Sequence, residues 1–466
     1  MDRLTSFDTS FLTNEKANGH MAIGAVLVCD GPAPSLEEFT THVRSRLHLL
    51  PRLRQRLSFP PLGLGTPFWV DDPEFDLRQH VRQVGLPAPG SVAQFRELAA
   101  SVLAPPLDRC RPLWELCLVD GFEEERFGIV YKTHHAMADG ISAVDIGTLL
   151  FDVEPDAEPV REVAGWDPHA LPTNAHLAAA AGRGIWATLR RALHWLRRAL
   201  RDPPRAARRA ADSAAGLREV GWALTKPAPS VPFNVEIGPN RAFSWASAGL
   251  EDFKRIKNTF GGTVNDVSLA VSAGALRRWL EDRGVATDGL ELRALVPVSI
   301  RAEDEHGQLG NRLTAMRGPL PVQIADPVAR LRAVATAMDD LKASKQPMGA
   351  QAMWALGDWI RDFAPPILLT PAATVNFSTR LFNLLVTNFP GPQIPLYVLG
   401  RELTGVYPVG FLAQRHALAL AIISYNGAIN FGLIADPDSV DDLDRIAAHI
   451  DAEVAELLAA VGQPAG

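Results

Sequence analysis

Cysteine is scarce in this chain: Cys29, Cys110 and Cys117 are the whole set, and no C-x-x-C spacing occurs. So odd and scattered a set excludes a disulfide framework and a zinc knuckle, and it fits a reducing compartment. Long apolar runs are lacking too. No stretch reaches the roughly 18 uninterrupted apolar residues that a spanning helix needs. The opening Met1–Thr5 shows no basic segment followed by an apolar one, so no secretory leader is expected. Excess positive charge is absent: the formal net charge is −7, which argues against nucleic-acid binding as the main activity. The G-x-S-x-G elbow, the P-loop, G-x-G-x-x-G and H-E-x-x-H are all missing, which leaves a nucleophilic serine or a bound nucleotide without support.

What the 466 residues do contain is an ordinary globular composition, 47% hydrophobic and 21% charged, in a length that suits two domains. Residues 1–155 alternate strand and helix signals. His20–Cys29 is a β-rich apolar run, and Ser35 caps a helix reaching Leu49, with Glu37 and Glu38 in its first turn. Trp114–Val119 and Phe127–Tyr131 are strands separated by an acidic turn, and a helical pattern covers Ile141–Phe151. Residues 156–240 are rich in Ala, Arg and Pro; Arg183–Arg218 holds ten arginines against two aspartates. Ile185, Leu189, Leu193, Leu196 and Leu200 recur there at helical spacing. Two readings stay open for this basic connector: a helical linker packed on the domains, or an interfacial helix drawn to anionic lipid.

Residues 241–466 return to α/β order. Helices are expected over Leu250–Asn258, Asp266–Leu280, Asp326–Ala343 and Asp441–Val461. Leu292–Ile300 is a strand whose Pro297 places it near an edge or near the strand's own end. Leu384–Asn388 is a buried strand, and Tyr425-Asn426-Gly427 between apolar runs signals a hairpin. The expected architecture is two α/β units joined by a helical connector.

His134-His135-Ala136-Met137-Ala138-Asp139-Gly140 follows a strand and precedes a helix, where α/β proteins commonly place reactive side chains. An imidazole titrates near neutrality and can take a proton from an attacking hydroxyl. Asp139 can orient the loop through an arginine or cap the following helix, and Gly140 lets the backbone turn. A structural histidine pair and a His-His-Asp metal site are the competing readings; no distant third ligand cluster favours the metal.

The heptad is similar to the HHxxxDG motif of the chloramphenicol acetyltransferase-like superfamily. Further segments resemble one branch of it, the bacterial wax ester synthase/diacylglycerol acyltransferases. Pro112-Leu113-Trp114-Glu115 looks like that family's PLWE, and Thr263-Val264-Asn265-Asp266-Val267 like its TVNDV. Val296–Arg301, Gly310-Asn311-Arg312, Thr387–Pro392 and Ser424–Gly427 resemble its VPVSxR, GN, NxPGP and hairpin segments. The opening, with Asp8, Phe11, Leu12, Glu15, His20 and Met21, is similar too, so the likeness runs from about residue 3 to 435. The superfamily's DFGWG loop is absent.

This resemblance implies two chloramphenicol acetyltransferase-like domains, each a mixed sheet flanked by helices, with a channel between them. It implies an O-acyltransferase that moves a fatty acyl group from acyl-CoA, a co-substrate, to diacylglycerol or a long-chain alcohol; no cofactor is expected. His135 would be the general base, with His134 and Gly140 in support and Asp139 paired to Arg301 or Arg312. Asn265 would hold the oxyanion or the acceptor hydroxyl, its competing reading being a helix cap. Asp266, Asn388, Pro390 and Gly391 would line the substrate path, although Asp266 also suits the helix's first turn and Pro390-Gly391 a plain turn. Trp114 is either core or substrate wall. A carrier-protein-dependent condensing enzyme and a non-catalytic lipid-surface protein are the alternatives. The expected location is cytoplasmic, at the inner membrane face or on lipid droplets.

Overall fold

The computed structural model describes all residues except Leu64, 138–146, 148, 161–164, 205–226, 300–312, 344–377 and 463–466. The first half runs β1 (Asp2–Arg3), α1 (Ser6–Asn14), β2 (Ala22–Asp30), α2 (Leu36–Arg46), β3 (Gln55–Ser58), β4 (Phe68–Asp71), β5 (Val81–Gly85), α3 (Val92–Leu103), β6 (Trp114–Phe122) and β7 (Arg126–His134). A long helix, α4 (Asn174–Arg201), follows. The second half runs β8 (Ala242–Gly249), α5 (Leu250–Phe260), α6 (Val264–Asp282), β9 (Leu292–Ser299), β10 (Leu313–Leu320), α7 (Pro327–Ala343), β11 (Leu384–Pro390), β12 (Tyr397–Val398), β13 (Arg401–Val409), β14 (Leu418–Tyr425), β15 (Ala428–Ala435) and α8 (Leu443–Val461).

These strands build two six-stranded mixed sheets, ordered β12-β13-β2-β7-β6-β5 and β10-β9-β11-β14-β15-β8, and a small sheet β1-β4-β3. In the first, β5 runs parallel to β6 and the other pairs are antiparallel. In the second, β11 runs parallel to both β9 and β14. The mixed α/β class expected from the sequence is present in both halves.

Local chemistry explains several boundaries. Ser35 caps α2 and exchanges hydrogen bonds with Glu38, a complete capping box. Thr263 does the same for α6 through Asp266, so this helix begins two residues before the expected start. Asn426 and Gly427 both have positive φ, 41° and 84°, as a two-residue hairpin turn requires. Strand β9 is internal, but its ladder with β11 covers only Ala294 and Leu295, so Pro297 lies beyond the stretch where a missing N–H would matter on that side. Trp114 belongs to the core: it is fully buried and its indole N–H donates to the Leu53 carbonyl at 2.8 Å.

The two halves interlock. Strand β13, from the C-terminal half, pairs antiparallel with β2 of the first sheet, with Leu403 opposite Cys29 and Val409 opposite Gly24. Its Pro408 carbonyl oxygen also presses on β15, where a Cβ on Gly432 would lie 1.8 Å from it; only glycine admits that approach. Tyr407 stacks on Trp245 of β8 at 4.6 Å. Helix α3 adds a second tie, placing Phe95 edge-on to Trp245 and the Arg96 guanidinium 4.3 Å above the same ring. A division by sequence at residue 241 does not anticipate this exchange.

Candidate active site

Strand β7 ends at His134, and His135–Met137 form a single 3₁₀ turn. The amide of His134 donates to Leu113 and that of His135 to Met21, at 3.0 and 2.8 Å, which anchors the turn to both neighbouring strands. The His134 ring is buried, and its Nδ1 accepts the Ala136 amide at 3.0 Å. That bond assigns the proton to Nε2, which lies 3.5 Å from Glu15 Oε2. Arg109 holds the same carboxylate through Nη2 and through Nε at 3.0 Å, and donates to the Leu12 carbonyl at 2.9 Å. Burial pushes the Glu15 carboxyl up, but the neighbouring His134 ring and the Arg109 guanidinium outweigh it and bring it down to about 2. A line of groups, Arg109–Glu15–His134–Ala136, thus fixes the backbone from which His135 projects.

His135 is half-buried in an aromatic slot. Phe11 of α1 stacks on it at 3.9 Å with an 11° interplanar angle, and Phe411 meets it edge-on at 5.7 Å. Burial among these rings pushes the imidazole down to about 4, against the opposing effect of a hydrogen bond to its own main-chain carbonyl. The ring is therefore neutral at pH 7. A neutral imidazole carries a lone pair on one of its two ring nitrogens.

On the second sheet, Asn388 Nδ2 donates to Asn265 Oδ1 at 3.1 Å, joining the end of β11 to the first turn of α6. Both amides are half-buried. Asn265 is not the cap, since Thr263 fills that place. Asp266 fills the first-turn role that the sequence also allowed: it is 1% exposed and its Oδ2 accepts from the amide and hydroxyl of Thr263, both at 2.8 Å. Pro390 ends β11 opposite Ser424, and Gly391 follows so closely on β14 that a Cβ would sit 2.3 Å from the Ser424 carbonyl oxygen. That contact gives Gly391 a packing reason of its own. Among the described residues no hydrogen bond or ring contact joins the asparagine pair to His135. Asp139, Gly140, Arg301 and Arg312 lie outside the described residues.

Sequence reasoning gave no role to Glu15, Arg109 or Phe411. Glu15 and Phe11 stood within the opening motif, which was their one signal; Arg109 and Phe411 carried none.

Comparison with known proteins supplies the family. The model of the wax ester synthase/diacylglycerol acyltransferase catalytic domain matches residues 4–268, and that of the WS/DGAT C-terminal domain matches 309–458. The chain belongs to this family. It is 34% identical over 464 residues to a probable diacylglycerol O-acyltransferase of Mycobacterium tuberculosis, covering 98% of this chain and 96% of that one. The wax ester synthase/diacylglycerol acyltransferase of Marinobacter aquaeolei VT8 superposes with a TM-score of 0.70 at 26% identity, covering 99% of this chain and 100% of that one. The first condensation domain of the CDA synthetase shares the fold at a TM-score of 0.58 and 16% identity, covering 100% and 97%. The WS/DGAT chain described here is thus an acyltransferase with the acetyltransferase-like fold that the heptad implied.

Proposed function

We propose that this WS/DGAT protein transfers a fatty acyl group from acyl-CoA to diacylglycerol or a long-chain alcohol, with His135 as general base and no cofactor. The observation that carries the reading is the setting of His135: an imidazole at the end of β7, walled by Phe11 and Phe411, whose burial favours the neutral form. Its unprotonated nitrogen takes the acceptor's hydroxyl proton as that oxygen bonds to the thioester carbon. The C–S bond then breaks, and the imidazolium returns the proton to the departing thiolate. The His134–Glu15–Arg109 line positions the turn. The amides of Asn265 and Asn388 are suited to hold the developing oxyanion or the hydroxyl.

Both acceptors are lipids, so we place the protein at a lipid surface. In support, the first turn of α4 is held by Leu177 against Phe68 and Val70, while Trp186, Leu193 and Leu200 further along stand 63%, 52% and 73% exposed. Arg190, Arg197 and Arg201 are exposed on the same helix, as an interfacial helix on anionic lipid requires. No helix among the described residues is long and apolar enough to cross a membrane.

The test is an assay with palmitoyl-CoA against hexadecanol and against diacylglycerol, with products resolved chromatographically. His135→Ala is expected to lower turnover by roughly 10²–10⁴-fold while the protein stays folded. Full turnover by a folded His135→Ala variant would overturn the mechanism.

A further inference from the structure

Arg317 of β10 is a half-buried cation that meets no counter-charge among the described residues. Its Nε is closed off from solvent and hydrogen-bonds to nothing, and among the described residues no carboxylate, carbonyl or ring meets its guanidinium. Burial alone pushes it down to about 10. The contrast with Arg330 is sharp: that side chain, 1% exposed, is met by Glu453 and by the Ile324 carbonyl. A guanidinium N–H shut off from water and left unpaired is costly, and a bound anion would supply the missing partner.

Its place in the sheet says where that partner would lie. A Cβ on the next residue, Gly318, would sit 3.3 Å from Met338 of α7, so Gly318 faces the helix layer and Arg317 faces the opposite side. Cross-strand register continues from Arg317 to Leu295, Leu385 and Ala419, one row on one face. Leu385 and Ala419 lie 3.5 and 3.6 Å from the Cβ position of Gly410, the residue before Phe411. Phe411 in turn meets the His135 ring. Two strand spacings, about 10 Å, separate Arg317 from Leu385. The row is therefore an apolar floor that begins beside the catalytic slot and ends at one cation.

We infer that Arg317 binds a phosphate of the acyl-CoA donor. The inference rests on the reading of the protein as an acyl-CoA-dependent acyltransferase. Of the two substrates in that reading, the alcohol or diacylglycerol is neutral, and the anion comes with the donor. The guanidinium fork matches phosphate oxygens, and a site half-closed by protein strengthens the contact.

The experiment compares palmitoyl-CoA with S-palmitoyl-pantetheine, which carries the same thioester and no phosphate, for the wild type, Arg317→Met and Arg317→Lys. Arg317→Met is expected to raise KM for palmitoyl-CoA about tenfold or more with little change in kcat, and so to shrink the preference for the CoA thioester by that factor. Arg317→Lys should fall between. Added CoA should raise the melting temperature of the wild type and not that of Arg317→Met, whose ligand-free melting temperature should be equal or higher. An unchanged preference between the two donors, or a lower melting temperature of the ligand-free variant, would overturn the assignment. Absence of turnover with both donors in the wild type would instead sink the donor reading on which it rests.

Discussion

At the scale of single residues, the site works by holding one imidazole neutral and another rigid. With His135 brought down to about 4, the acid limb of kcat/KM is expected near pH 4 rather than near the ordinary histidine value. Phe411→Ala opens the slot to water and should move that limb upward, which a pH–rate profile of the variant would reveal; an unmoved limb would mean that Phe411 does not set it. The same shift bears on stability. Below the usual histidine range the unfolded chain takes up a proton that the folded ring refuses, so acid disfavours the fold. Glu15 adds to this in the same direction. Its carboxyl is depressed from 4.5 to about 2, so its contribution is complete above pH 4.5 and lost as pH falls toward 2, on the order of 3 kcal/mol in all. Glu15→Gln should therefore be less stable at pH 7 yet flatter between pH 5 and 2, as urea unfolding at several pH values would show. The histidine pair was legible because strand, heptad and helix adjoin in sequence. Arg109 was not, because it meets Glu15 from 94 residues away, and no local pattern announces such a meeting. Asp266 carried two readings because a carboxylate three residues after a threonine suits a capping box as well as a substrate contact; the capping box is present.

At the scale of elements, short-range chemistry was readable and long-range pairing was not. The α2 cap, the β14–β15 hairpin and the β6–β7 pair all carry their signal within a few residues. Strand β13 carries little: Gly405 and Pro408 interrupt its pattern, and its partner β2 lies more than 370 residues earlier. Its fit depends on Gly432, so Gly432→Ala should lower stability by about 1–3 kcal/mol through overpacking against Pro408. A thermal scan would register this, and an unaltered melting temperature would show that the contact can relax. Helix α4 was legible as an amphipathic pattern, and changing Arg190, Arg197 and Arg201 to Gln should weaken flotation with anionic vesicles. Equal flotation of variant and wild type would leave the helix as a plain connector.

At the scale of the whole molecule, two α/β units were legible from alternating strand and helix signals, but their mutual dependence was not. Residues 1–240 alone would leave the outer edge of β2 bare, and an open apolar edge invites aggregation. That fragment is expected to be insoluble by itself and soluble when co-expressed with 241–466; a monodisperse 1–240 fragment on size exclusion would contradict this. The catalytic slot has the same dependence, since Phe11 precedes the first sheet and Phe411 follows β13.

Synthesis order turns this interlock into a timing problem. A ribosome delivers the histidine strand early, yet the strand that flanks β2 emerges only when little more than the last hairpin and α8 are still to come. Through most of translation the nascent chain must carry a half-finished sheet, which makes it a natural client for holding chaperones and leaves its chemistry switched off until the carboxyl-terminal half arrives.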